Sequence, residues 1–181
     1  MKSSTFMQIA YLVSQESKCV SWKVGAVIAK NGRIISTGYN GSPAGGVNCC
    51  DHAENMGWME YEKDSKFNII KSGLHPEKRH LHSDWSKNNE IHAELNAILY
   101  AARNGTPIEG ATMYVTLSPC PDCAKSIAQS GIKQLVYSET YDRNVPGWEK
   151  ILQDAGIQVF QINKTALKNL NWTQITNYGG L

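Results

Sequence analysis

The order of apolar runs along this 181-residue chain predicts an α/β fold with a mixed central sheet. Two observations carry that reading. Early in the chain, two apolar runs flank Asn31-Gly32, the strongest two-residue hairpin signal, which makes the first two strands antiparallel. Further on, stretches of helical periodicity alternate with short strand-like runs, which implies parallel strands joined by crossovers. The length suits a single domain, 1–181, large enough to bury a core.

Ser3 and Ser4 offer caps for a first helix, whose apolar stripe of Phe6, Ile9, Ala10 and Val13 is expected to lie on the sheet. Residues 24–29 form the first strand, and Ile34, Ile35 and Tyr39 belong to the second. Asn40-Gly41-Ser42-Pro43 closes that strand in a turn. From 45 to 89 the chain is polar and charged, with little apolar periodicity. Such a stretch is uncommon inside a compact domain unless it is functional or tied down, and it is too polar to order itself by burial. Ile91, Leu95, Ile98, Leu99 and Ala102 then recur at helical spacing, and 113–117 reads as a strand. Pro121 suits the first position of a helix ending before Gly131, and 134–137 as the next strand. A short helix over 147–155, a last strand over 158–162 and a terminal helix from Lys164 complete the order. No internal repeat or low-complexity tract interrupts it.

Charged residues make up 19% of the chain and the formal net charge is +2, far from the basic excess of a protein that tracks a long phosphate backbone. A small anionic ligand is the expected partner, and no polynucleotide. No basic segment followed by an apolar run opens the chain and no run is long enough to cross a bilayer, so neither a secretory leader nor a membrane span is expected. Five cysteines, an odd number, read as thiols in a reducing cytoplasm, available to metal.

His92-Ala93-Glu94 and Pro119-Cys120-Pro121-Asp122-Cys123 carry the chemistry. Zinc takes nitrogen and thiolate donors in a tetrahedron; a structural site fills all four corners with protein, and a catalytic site leaves one to water. His92, Cys120 and Cys123 supply three. They fall where two helices are expected to begin, and there free N–H groups and the positive dipole end favour thiolate. Glu94, in the same first turn as His92, leans over the helix end towards a bound water, whose pKa zinc brings down to about 7. Singly, a C-x-x-C is as readily a structural zinc knuckle or a redox pair, and a lone His a core or surface residue. Together, with Pro on both sides of Cys120 and a carboxylate that no structural site requires, they point to catalysis.

Two further groups stand out. Ser21, Trp22 and Lys23 precede the first strand and offer hydroxyl, backbone N–H and ammonium donors to a phosphate dianion, unless Lys23 is only a solvated strand-end charge. Cys19 and Cys49, with Cys50, His52, His75, His80, His82 and Glu90 in or beside the polar stretch, are donors enough to pin it with a second metal.

H-x-E with P-C-x-x-C is the signature of zinc nucleobase deaminases. The segments Ser21-Trp22-Lys23-Val24-Gly25-Ala26, Gly38-Tyr39-Asn40-Gly41-Ser42-Pro43, His92-Ala93-Glu94-Leu95-Asn96-Ala97 and Met113-Tyr114-Val115-Thr116-Leu117-Ser118-Pro119-Cys120 resemble the zinc-dependent cytidine and deoxycytidylate deaminases, those of T-even-like bacteriophages in particular. The similarity runs over nearly the whole chain. It implies the cytidine deaminase fold, a three-layer α/β/α sandwich. It also implies hydrolysis of dCMP to dUMP and ammonia, feeding dTMP synthesis, by a homo-hexamer in the cytoplasm, of the host cell if viral. Activation by dCTP with Mg2+ and inhibition by dTTP belong to the same resemblance. Residue by residue, His92, Cys120 and Cys123 match the ligands of a catalytic zinc, Glu94 the proton shuttle, Asn40 and Tyr141 substrate contacts, and Arg103 the place where a regulatory nucleotide is sensed. His82 and Glu90 join Cys19 and Cys49 in a closed, structural zinc site. Val20 stands where some relatives carry a second adjacent Cys, and the stretch 45–89 differs in length and sequence.

Plainer readings stand beside these. Asn40 is also a turn cap next to Gly41, Tyr141 a surface aromatic, Arg103 a solvated helix-end charge, and Cys50 or His80 a replacement donor. At the level of function, the other class is a non-enzymatic, zinc-stabilised nucleotide-binding module, which a fourth protein ligand at the first site would mark. Among enzymes, the alternatives are deaminases of free cytidine, tRNA adenosine or polynucleotide cytosine.

Overall fold

Asn31 and Gly32 both adopt left-handed φ, 52° and 73°. The turn they form twists with the flanking strands and pairs β1 (Gly25–Lys30) antiparallel to β2 (Arg33–Tyr39). These strands were obtained in a computed structural model that describes residues 1–143 and 145–167. β5 (Thr112–Leu117) pairs antiparallel with β1 on its other side, and β6 (Gln134–Glu139) and β7 (Gln158–Gln161) follow in parallel. The sheet order is β2-β1-β5-β6-β7, with α5 (Pro121–Gln129) and α6 (Trp148–Asp154) as the crossovers.

Alternation along the strands sorts the core into two layers. Val27, Ala29, Tyr114 and Val136 meet Phe6, Met7 and Ala10 of α1 (Ser3–Ser14) on one face. On the other, Ala26, Ile28, Met113, Val115 and Leu135 meet α4 (Ala93–Arg103), α5 and α6. The result is the three-layer α/β/α arrangement with a mixed sheet. Among the described residues, no helix is long and apolar enough to cross a membrane.

Close backbone approach decides which helix faces turn inward. A Cβ on Gly25 would collide with the Ala10 carbonyl and the Ser14 nitrogen, and one on Gly38 with Ala93 and Ala97 backbone. Helices this near the sheet bury small residues. α1 therefore sets Ala10 and Ser14 against Gly25, buries the larger Phe6 and Met7 a turn earlier, and leaves Ile9 at the margin and Val13 half-buried; its N-cap is Lys2 with no side-chain cap from Ser3 or Ser4. α4 buries Ala93, Glu94, Ala97 and Ala101, while Leu99, expected on the inner face, is 47% exposed.

The stretch 45–89 has structure of its own: α2 (Cys49–Asn55), a hairpin of β3 (Met59–Lys63) and β4 (Ile69–Leu74), and α3 (Arg79–Asn89). It also has a small apolar centre, where Ala53, Trp58 and Leu74 are joined by Val20, Met59 and Trp85. His52 stacks on Trp85 with ring centroids 4.5 Å apart. Burial thus contributes more here than the composition suggests. After β7 a single 3-10 turn, Lys164–Ala166, is formed, and the remainder of the expected terminal helix lies outside the described residues.

Candidate active site

β5 runs antiparallel to β1, so the edge at which β5 ends is also where β1 begins and β2 ends. β6 ends there too, at Glu139, whose carbonyl accepts the Ser118 N–H at 2.8 Å. This is the crevice outside the carboxyl ends of parallel strands, where α/β sheets place ligands. Gly41 and Ile91 exchange two backbone hydrogen bonds, 3.1 and 2.8 Å, which seat the start of α4 on the end of β2.

His92 is the N-cap residue of α4 and Cys120 that of α5, whose sulfur accepts the Cys123 N–H at 3.4 Å. His92 Nδ1 lies 3.5 Å from Cys120 Sγ and 3.3 Å from Cys123 Sγ. Among the described residues three donor atoms, and not four, lie within 4.8 Å of one another here. The bond from the Cys123 thiol, with His92 assisting, holds the Cys120 thiol down to about 4, while the same bond and burial push Cys123 up. Cys120 is thus the readier thiolate of the two, the form in which a cysteine binds a divalent cation. Cys120 also lifts His92 to about 9, with the charge of Glu94 adding to the effect. Two sulfurs and one imidazole nitrogen at this spacing fit the zinc of the family signature.

Glu94 sits beside this group, 4% exposed and against the Cys123 thiol. Burial pushes its carboxyl above the usual carboxylate range, against the pull of His92. A buried carboxyl held at the rim of a three-donor site is placed to move protons.

A second donor group forms behind the first. Cys19, Cys49, His82 and Glu90 each offer one atom, all within 4.8 Å of one another. His82 Nε2 lies 3.2 Å from Cys49 Sγ and 3.6 Å from Cys19 Sγ, which in turn is 3.6 Å from Glu90 Oε2. The bond with Cys49 holds Cys19 down to about 4, and burial followed by the Cys19 charge lifts Glu90 to about 7. Among the described residues, Glu90 Oε1 is buried without a hydrogen-bond partner. Glu90 Oε2, beside two sulfurs and an imidazole, completes a donor set that fits a cation in a closed tetrahedron. Cys50 and His80, the replacement donors, stand outside this group.

The structure brings Ser21, Trp22, Lys23, Asn40 and Tyr141 to the same edge. Asn40 Oδ1 accepts the Val24 N–H and Asn40 Nδ2 donates to the Trp22 carbonyl, both at 2.8 Å, so its amide holds the segment before β1. The N–H groups of Ser21 and Trp22 turn inward to the Cys19 sulfur. That leaves the Ser21 hydroxyl and the exposed Lys23 ammonium, in place of a row of backbone donors, on offer to a phosphate. Trp22, 43% exposed, meets the Tyr141 ring edge-on at 6.0 Å. Tyr141 N–H donates to Ser118 Oγ at 2.9 Å, a link to the Cys120 loop that no spacing announced. Arg103 does not join the site: it is the exposed last residue of α4, about 16 Å of helix from His92.

Residues 1–139 match the family described as "Cytidine and deoxycytidylate deaminase zinc-binding region". The chain is 65% identical over 192 residues to the deoxycytidylate deaminase of Enterobacteria phage T4, covering 99% of this chain and 100% of that one, and 63% identical to that of phage T2. Among solved structures, the dCMP deaminase of cyanophage S-TIM5 in complex with dCMP and dUMP superposes with a TM-score of 0.64 at 32% identity, covering 90% of this chain and 99% of the other.

Proposed function

This chain belongs to the cytidine and deoxycytidylate deaminase family, and from that premise we infer that it hydrolyses dCMP to dUMP and ammonia. The observation that carries the reading is Glu94, buried beside a group of three donors. His92, Cys120 and Cys123 would hold zinc, which supplies Lewis acidity and lowers the pKa of a water to about 7.

The remaining chemistry belongs to side chains. As water attacks C4 of the cytosine, Glu94 accepts one of its protons and delivers it to N3, where it stays in the uracil. The carboxyl then carries the second proton to the departing amine, which leaves as ammonia. Burial, which lifts the Glu94 pKa, and a nearby cation, which lowers it, oppose each other and bring the shuttle towards the operating pH. Asn40 and Tyr141 would meet the nucleoside, and Ser21 and Lys23 the phosphate, with Trp22 against Tyr141 at the mouth.

Cys19, Cys49, His82 and Glu90 would hold a second, structural zinc. Kinship further supports a homo-hexamer in the host cytoplasm, activated by dCTP with Mg2+ and inhibited by dTTP. Arg103 would sense the effector at the far end of the helix that begins with His92, so an effector that binds two states unequally would bias how that helix is set. Sigmoidal dCMP kinetics that become hyperbolic with dCTP and Mg2+ would agree; indifference to both nucleotides would remove this regulation. The primary test is ammonia release from dCMP, CMP, deoxycytidine and dCTP. dCMP should give the highest kcat/KM, and a preference for deoxycytidine would overturn the substrate assignment.

A further inference from the structure

Residues 17–24 lie between α1 and β1 without ladder or helix of their own, yet they carry both Cys19 and the phosphate-facing Ser21 and Lys23. Their order depends on a few discrete bonds. Asn40 holds them by both its backbone and its amide, with one Nδ2 hydrogen left over for a nucleoside: its N–H donates to the Val24 carbonyl at 3.2 Å, its side chain grips Trp22 and Val24, and its carbonyl accepts the Ser17 hydroxyl at 2.8 Å. Ser17 is 0% exposed. Its oxygen also accepts the Cys19 N–H at 3.2 Å.

One buried hydroxyl therefore ties the end of β2 to the first residue of the second metal group. Two residues past Cys19 the chain wraps that sulfur with the Ser21 and Trp22 N–H groups and then presents Lys23. We propose that Ser17 is a positioning residue for substrate binding, setting Cys19 through Lys23 against Asn40 so that the phosphate donors meet the substrate in register. The proposal rests on the reading that Ser21 and Lys23 face the phosphate of dCMP. Ser17 belongs to neither donor group. Removing its hydroxyl leaves the Asn40 carbonyl and the Cys19 N–H unpaired, and the cheapest relief is a shift of the intervening segment, because α1 and β2 are each held by their own core contacts.

The test compares zinc-loaded wild type, Ser17→Ala, Ser17→Thr and Lys23→Ala at a temperature where circular dichroism reports each folded. Ser17→Ala should keep both zincs and a kcat within about twofold while raising KM for dCMP about tenfold, with Ser17→Thr restoring it, because the unmet polar groups are relieved only by a hydroxyl. A KM unchanged by Ser17→Ala while Lys23→Ala raises it overturns the role of Ser17 and leaves the phosphate reading intact. A KM raised equally for dCMP and deoxycytidine by Ser17→Ala, with Lys23→Ala silent, keeps Ser17 and overturns the phosphate reading. Loss of thermal stability with both kinetic constants unmoved makes Ser17 purely structural and also overturns the proposal. Hydrogen exchange on the wild type needs no variant: the Cys19 amide should be protected as well as those of Val24 and Asn40, and exchange at the rate of an open loop would contradict it.

Discussion

The two donor groups are made of the same residue types and arranged to opposite ends. At His92, Cys120 and Cys123 the donors come from two helix starts, His92 is open to solvent, and the carboxyl of Glu94 stands to one side. At Cys19, Cys49, His82 and Glu90 the donors come from four separate places in the chain, and the carboxylate is itself one of the four. The first arrangement leaves a corner for a reacting oxygen. The second ties a loop, α2, α3 and the residue before Ile91 into one knot. On the proposed reading, what separates a reactive centre from a staple is where the carboxyl sits, not which metal-binding residues are present.

The comparison breaks most sharply at the two glutamates. Glu94→Gln should keep zinc and fold while kcat falls by about 100- to 10,000-fold, the range for loss of a general acid–base group. Metal analysis beside turnover checks it, and near-normal turnover would take Glu94 out of the chemistry. Cys49→Ala should retain one zinc per chain, leave 45–89 open to protease, and lower Tm by roughly 10 °C, from about 3–5 kcal/mol for breaking a buried charged group at about 2–4 °C per kcal/mol. Limited proteolysis with metal analysis decides that case; an intact 45–89 would show that the small centre around Trp58 suffices without metal.

A smaller effect sharpens the same contrast. Gly38→Ala forces a methyl into the backbone of Ala93 and Ala97, at about 1–3 kcal/mol for overpacking. Because that displacement falls on the start of α4, zinc affinity should weaken at the first group and hold at the second, which competition with a chelator would read out.

How far each group was legible follows from the same geometry. The first was written in short spacings, since His-x-Glu and Cys-x-x-Cys each place their residues within one helical turn, and Pro121 marks where that turn starts. The second draws on residues up to 71 positions apart, the span from Cys19 to Glu90, and no local pattern reports such a distance. The inner face of α4 is hard to read in the sequence for a related reason. Gly38 lets the helix so close that only alanines fit beneath it, and an alanine stripe carries little hydropathy signal beside Leu95 and Leu99. The structure within 45–89 is hidden from periodicity because its apolar centre is assembled from scattered residues, Trp58, Leu74 and Trp85 among them, and not from a periodic stripe.

The least effect lies away from both groups. Tyr11 donates its one hydroxyl proton to Glu139 Oε1 at 2.6 Å, with Ser138 Oγ 2.9 Å from the same oxygen; burial first, then the bond to Glu139, push its phenol up to about 12. The folded state thus favours the protonated form. Its contribution is complete below the unfolded value near pH 10 and is lost as pH rises through about 12. Tyr11→Phe should lower Tm by a few degrees, from about 1 kcal/mol for the bond, and flatten the alkaline fall in stability across that window, as thermal melts at pH 9 to 12 would record.

The open-versus-closed contrast meets its most direct test in an anomalous difference map at the zinc edge from crystals of the zinc-loaded protein. Two peaks per chain are expected, one bound by His92, Cys120, Cys123 and a non-protein oxygen, the other by Cys19, Cys49, His82 and Glu90 alone. A single peak, or a fourth protein ligand at the first site, would contradict it.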